Sequence, residues 1–216
     1  MRSSGSLPNA LVGLAVLAVL ALWAVRLSLH LHRRNHGRPE DRRYQAWRKQ
    51  YGQKFWWVSL FTVFLLQGAL LWVISLVAQA GQWAPKPDRF IWLDGLGLLL
   101  WAVGFFFEAV GDYQLAVFKK NPANKGKAMA QGLWRYTRHP NYFGECLMWW
   151  GIFLVTLATP GGFWSIVSPV TITYLLLKVS GVTLLERTIV ETRPEYREYQ
   201  ERTSAFIPRL PKRGKP

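Results

Sequence analysis

An all-α, polytopic membrane helix bundle is the fold class this sequence predicts, and three observations predict it. First, charge is absent from long runs: residues 7–25 and 55–85 carry none, 95–107 are uncharged between Asp94 and Glu108, and 146–177 is a stretch of 32 residues. A spanning helix needs about 20 mostly apolar residues. Second, the basic residues sort by loop. Segment 32–54 holds eight Lys/Arg, 119–142 six and 187–216 eight, against only Arg2, Lys86 and Arg89 on the other side. Third, Trp56, Trp57, Trp83, Trp92 and Trp164 stand at the ends of the runs, where interfacial anchors belong.

The first span is expected at 8–30. A cleaved signal peptide is disfavoured: Arg2 is alone in the n-region, no small-x-small site follows, and Arg26, Arg33 and Arg34 come after the apolar run. Arg33–Lys54 mixes charge with Tyr44, Trp47 and Tyr51, as a surface helix at the headgroups does. The second span covers 55–80. The third, 90–113, carries Gly97, Gly104 and Gly111 at seven-residue intervals, a stripe on which a neighbouring helix can approach closely. Glu108 and Asp112 both lie to one side of that stripe, about 40° and 80° round from Gly104, and Lys119 falls between them if the helix continues. Pairing with Lys119 or Arg135 would satisfy both carboxylates. Pro160-Gly161-Gly162 divides the long run into spans 142–159 and 163–186, with Lys178 snorkelling near the end.

Five spans put the termini on opposite sides, and the basic bias puts the N-terminus outside and the C-terminus in the cytoplasm. The tail, 187–210, reads as a helix with a Glu198–Arg202 pair, stopped by Pro208, either an anchor or a lid. One membrane domain fills 1–216. The net charge of +15 is explained by the topology without invoking nucleic acid. A lone Cys146, with His30, His32, His36 and His139 at no HExxH spacing, argues against a metal site.

Function concentrates in Gly132–Glu145, which packs Arg135, Arg138, His139, Asn141, Tyr142 and Glu145 against the start of a span. Charge near hydrocarbon needs a partner, so such residues face a bundle interior or a ligand. Glu108, Asp112, Glu145 and Glu186 all fall at cytoplasmic span ends. Basic groups suit phosphate, helped by the helix start at Pro140. Carboxylates suit ribose hydroxyls or an amide. The substrate reaches such a site from the lipid and is apolar.

The segments GLWRYTRHPNYFGE, FEAVGDYQLAVFKK and YREYQERTSAFIP resemble the bacterial, DUF1295-like branch of the steroid 5-alpha-reductase superfamily, over roughly residues 20–210. The resemblance implies a multi-pass protein of the bacterial inner membrane. It would use NADPH to reduce a carbon–carbon double bond in a lipophilic, steroid- or lipid-like substrate. By it, Asn141 and Glu145 match the family's Asn-Tyr-x-Gly-Glu element, Asp112 the preceding acidic residue and Lys119 the basic residue beyond. Glu108 stands where those reductases have Asn. The cofactor-binding set expected is Glu108, Asp112, Lys119, Arg135, Arg138, His139, Asn141, Tyr142, Glu145, Glu186, Tyr196 and Tyr199. No residue pair here matches the N-terminal Glu and Tyr that polarise the substrate carbonyl in those reductases. Arg138–Tyr142, and Tyr196, Tyr199 and Ile207-Pro208, also resemble isoprenylcysteine carboxyl and phospholipid methyltransferases, which bind S-adenosylmethionine. A non-catalytic lipid-binding protein is the third alternative.

Overall fold

The computed structural model describes residues 7–83, 90–179, 181–183, 186, 189–190 and 196–212. Side chains are described within these ranges except at 7–12, 42 and 83. The described residues are helical, with one isolated bridge, between Thr137 and Ser204, and no strand. Helix is what hydrocarbon demands, because every backbone N–H finds its acceptor within the segment.

α1 is Leu7–Asn35. α2, Arg42–Tyr51, begins where Asp41 accepts the backbone N–H of Arg43 and ends at Gly52; it is the expected surface helix. α3 runs over 55–83, widened to a π-helical turn at Leu60–Leu65. α4 is Trp92–Lys120, so the third span's helix does continue past Lys119. Asp94, the one carboxylate expected at the outer end, is buried and caps α4 by accepting the N–H of Ile91 at 3.1 Å. α5 is Pro140–Leu157, with proline at its first position, where no N–H is missed. The next helix, α6, covers 162–179: a tight first turn, Val167–Tyr174, and a π-helical end at Leu175–Val179. Gly161 makes the turn between α5 and α6 with φ of +74°. Lys178 is exposed, as a snorkelling lysine would be.

Among the described residues, four helices are long and apolar enough to cross a membrane: those at Gly13–Asn35, Arg43–Gln82, Trp92–Lys120 and Gly162–Val179. α5 is not among them, although a span was expected at 142–159. Pro140, Asn141, Tyr142 and Glu145 lower its mean hydropathy, and its 18 residues leave no longer window to dilute them.

α5 is nonetheless the centre of the bundle, and it runs antiparallel along α4. A Cβ added at Gly97 would lie 2.6 Å from the Gly151 carbonyl oxygen, and one at Gly104 would lie 2.6 Å from that of Gly144. One at Gly111 would meet Pro140 at 3.1 Å. The glycine stripe is thus where the two backbones touch, and Gly144 and Gly151 of α5 answer it from the other side. Trp101, Met148, Trp149, Ile152, Phe153 and Val155 fill the core beside this contact. Hydroxyls tie the remaining helices together: Thr156 Oγ1 donates to the Val77 carbonyl at 3.0 Å and Ser168 Oγ to that of Val73 at 2.9 Å. Leu14, Leu17, Leu22, Val25 and Leu29 leave one face of α1 exposed, while Val16 and Trp23 pack inward.

The tail differs from the expectation. Within 187–210 only α7, Tyr196–Arg202, forms a described helix of any length, and most of 187–195 lies outside the described residues. After Arg202 the chain leaves the helix to pair with the loop before α5: the Arg138 N–H donates to the Ser204 carbonyl at 2.9 Å, and the Arg209 N–H to that of Tyr136 at 2.9 Å. The loop's unpaired backbone groups take the place of further helical turns. The Glu198–Arg202 pair is present at 2.7 Å, on the solvent side.

Candidate functional site

The α4–α5 glycine contact fixes a register, and the register builds the site. Because Gly104 opposes Gly144 and Gly111 opposes Pro140, Glu108 and Asp112 on α4 come level with Glu145 and Asn141 on α5. Each pair is spaced i, i+4, so both side chains of a pair share a helix face. Glu108 and Asp112 are buried, and Glu145 is half-buried. The three carboxyl groups stand close enough to act on one another electrostatically.

The cation that compensates them comes from α1, not from Lys119 or Arg135. Arg26 donates to Glu108 Oε1 at 2.7 Å and to Asp112 Oδ2 at 2.7 Å. The Trp23 indole N–H donates to Glu108 Oε2 at 2.9 Å, its ring edge-on to Trp149. His30 Nε2 lies 3.7 Å from Asp112 Oδ2. Trp23, Arg26 and His30 recur at three- and four-residue spacing, a polar stripe on an otherwise apolar helix. That spacing was the signal available in the sequence for three residues absent from the expected set.

Asn141 donates its Nδ2 to Asp112 Oδ1 at 3.1 Å. Because a carboxylate there can only accept, the amide orientation is fixed. Asn141 Oδ1 is therefore left buried with no partner. None of the described residues hydrogen-bonds Glu145 either. The cluster has more acceptors than donors: one guanidinium serves two of three carboxyl groups, and an amide oxygen is orphaned. An unsatisfied buried polar atom costs about 1–3 kcal/mol. Around the mouth lie basic groups. Arg34 and Lys119 act on His30, and Arg34 and Arg43 act on Tyr142. Tyr142 stacks on His139 with ring planes 1° apart.

A second cluster forms around Arg138. Its Nε and Nη2 grip Glu186 at 2.6 and 2.9 Å, and its Nη1 donates to the carbonyls of Gln200 and Thr203 at 2.7 and 2.5 Å. His139 Nε2 and Gln200 Nε2 complete the shell of Glu186 at 3.1 and 3.0 Å. Glu186 lies beyond the described end of α6. Burial pushes its carboxyl up, but the hydrogen bonds from His139 and Arg138 outweigh this and hold it at about 2. Tyr196 and Tyr199 are buried, and the Tyr199 hydroxyl donates to the Trp134 carbonyl. The tail therefore folds back on the loop as a clasp. Of the expected set, Glu108, Asp112, Asn141, Tyr142 and Glu145 gather in the first cluster. Arg138, His139, Glu186 and Tyr199 build the second, with the Tyr196 ring edge-on to that of Tyr199. Lys119 and Arg135 are exposed at the surface.

The family described as "Protein of unknown function (DUF1295)" matches residues 6–203, nearly the whole chain and both clusters. The chain belongs to that family. DUF1295 is a steroid 5-alpha-reductase-like group, related to reductases and methyltransferases. Among its relatives, this DUF1295 chain is 26% identical to an uncharacterized protein of Schizosaccharomyces pombe, over 91% of this chain and 64% of that one. It is 50% identical to a probable O-methyltransferase of Ustilaginoidea virens over 46 residues, 21% of this chain and 16% of that one. The chain thus spans less than two thirds of the length of either relative. No solved structure matches it.

Proposed function

We propose that the protein is a membrane-embedded, NADPH-dependent reductase of a carbon–carbon double bond in a lipophilic substrate. The observation that carries this reading is the acceptor surplus at the α4–α5 contact, above all the orphaned Oδ1 of Asn141 beside Glu145, to which none of the described residues donates a hydrogen bond. These oxygens suit a ligand rich in N–H and O–H donors, and a nicotinamide amide and two riboses are such a ligand. Asn141 and Glu145 would hold the amide, with Asp112 and Glu108 near the ribose. Lys119, Arg34 and Arg43 at the mouth suit the phosphates, with Arg135 further out. Arg26 and Trp23 orient the carboxylates. Arg138, His139, Glu186 and Tyr199 act one step removed, by fixing the loop that opens α5. The cofactor would supply a hydride; the chain's own part is to bind, orient and exclude water.

A second reading has an observation of its own. The short match to a probable O-methyltransferase, and three carboxyl groups around one guanidinium, also suit the cationic S-adenosylmethionine. One experiment separates the two. NADPH should raise the melting temperature of the detergent-solubilised protein, by about 2.7 kcal/mol of stability at a hundredfold excess over Kd, and S-adenosylmethionine should not. A shift with S-adenosylmethionine alone selects the methyltransferase. No shift with either selects a lipid-binding protein without turnover.

The site is proposed to face the cytoplasm of a bacterial inner membrane, with α5 as a fifth span. Supporting this, α5 follows α4 from Gly111 to Gly97, about 21 Å of helix axis. Five spans place the termini on opposite sides; four would place them together. A C-terminal alkaline phosphatase fusion should be inactive and an N-terminal one exported by its own signal active. Activity at both ends or neither returns the count to four.

A further inference from the structure

A cavity of about 340 Å³ lies where α4 ends, and the cofactor reading leaves most of it unused. Its walls are local. Asn121 closes α4 by accepting the Ala123 N–H at 3.0 Å, which sets the short turn Pro122–Asn124. The Asn124 amide donates back to the Phe118 carbonyl at 3.0 Å, and Gly126, at φ of +85°, turns the chain across the opening. Leu115, Phe118 and Met129 form an apolar floor, and Lys120 and Lys125 a basic rim.

The charged residues that line this cavity are Lys119, Lys120, Lys125 and Lys127, all basic. No acidic residue occurs between Asp112 and Glu145. Lys120 and Lys125 are exposed and form no ion pair among the described residues. Position on α4 supplies the second argument. At 100° per residue, Phe106, Tyr113, Val117 and Lys120 fall within about 60° of one another. The first three are 53%, 68% and 48% exposed. Lys120 therefore tops a bare apolar stripe, and the cavity opens at the level where that stripe must leave hydrocarbon. A lysine loop that merely faced water would need no apolar floor.

We infer that this cavity binds the phosphate headgroup of an anionic phospholipid, whose acyl chains lie along Phe106, Tyr113 and Val117. Charge and apolar surface stand in the order that such a lipid presents them. Phosphate chemistry is shared with soluble phosphates, but only a lipid uses the stripe as well as the rim. Lys119 lines this cavity as well as the proposed cofactor mouth, whereas Lys120 and Lys125, which carry the test, belong to the cavity alone.

The test uses the full chain in detergent, with bound phosphatidylglycerol and phosphatidylcholine counted by native mass spectrometry. The wild type should retain phosphatidylglycerol over phosphatidylcholine. Lys120→Gln with Lys125→Gln should weaken retention about thirtyfold, two lysines at about 1 kcal/mol each, without moving the melting temperature. Lys120→Arg with Lys125→Arg should keep it. Lys49→Gln with Lys54→Gln, two exposed charges lost elsewhere, should keep it too. Equal retention in wild type and the Lys120/Lys125 glutamine variant, or an equal loss in the Lys49/Lys54 control, overturns the proposal. Complete displacement of the lipid by millimolar inorganic phosphate would instead assign the cavity to a soluble ligand.

Discussion

Arg138 and Asn141 stand three residues apart at the start of α5, one in a saturated polar cluster and the other in an unsaturated one. Around Arg138, both oxygens of Glu186 and two carbonyls take up the guanidinium, and His139 and Gln200 fill what remains of the carboxylate. Around Asn141, an amide oxygen has no donor and Glu145 has no hydrogen bond among the described residues. Both clusters hold the residue types from which a cofactor site would be assembled. The match between donors and acceptors sets them apart. A balanced cluster has spent its hydrogen bonds on the chain itself, and an unbalanced one keeps them for something else.

The largest effect should come from breaking the balanced cluster. Glu186→Ala leaves Arg138 buried without its carboxylate, and loss of one partner of a buried pair costs about 3–5 kcal/mol. Chemical denaturation should show this loss, while the stabilisation that NADPH adds stays as in the wild type. If stability holds and nucleotide affinity falls, Arg138 and Glu186 belong to the cofactor set after all.

The unbalanced cluster should respond the other way. Glu145→Gln keeps the size and removes the charge and one accepting oxygen. Since no described residue donates to Glu145, unliganded stability should be unchanged or slightly higher. NADPH affinity should fall by about 1.5–3 kcal/mol, the range for a hydrogen bond to a charged group. A destabilised mutant with unchanged affinity would reduce the contrast between the clusters to one of degree.

Acid gives the smallest effect and sharpens the comparison. The Glu186 carboxyl is held at about 2 in the fold, against about 4.3 in an unfolded chain. Its contribution is fully present above about pH 4.5 and is lost as pH falls towards 2. The stability difference between wild type and Glu186→Ala should therefore be constant from pH 7 to 5 and shrink below 4.5. A difference that stays constant at pH 3.5 would mean that packing, not the ion pair, holds the clasp.

Much of this was legible in the sequence, where the physics is local. Uncharged runs located α1, α3, α4, α5 and α6, and the seven-residue glycine spacing located the face on which α4 meets α5. What failed was whatever depended on a distant partner. The helix α5 was located, but nothing in its own sequence revealed that the other helices surround it. Pairing with Lys119 or Arg135 was the alternative open for Glu108 and Asp112, and the ion pairs they make are with Arg26 of α1, a partner the sequence expectation did not include. The tail was read as one helix to Pro208, because nothing in its own sequence reveals that the loop before α5 has carbonyls and N–H groups to offer at Thr203, Ser204 and Arg209.

The Arg26 contact also bears on how the chain is made. Its two carboxylate partners lie 82 and 86 residues further along. α1 is synthesised before α4, and its guanidinium meets neither carboxylate until α4 has emerged. Glu145 and Asn141 arrive later still, with α5. Contacts of such long sequence separation form late, after the loop between them has closed. The carboxylate cluster thus comes together only once α5 has emerged, and a ribosome-bound chain that stops short of α5 contains the cation without the full set of groups it serves.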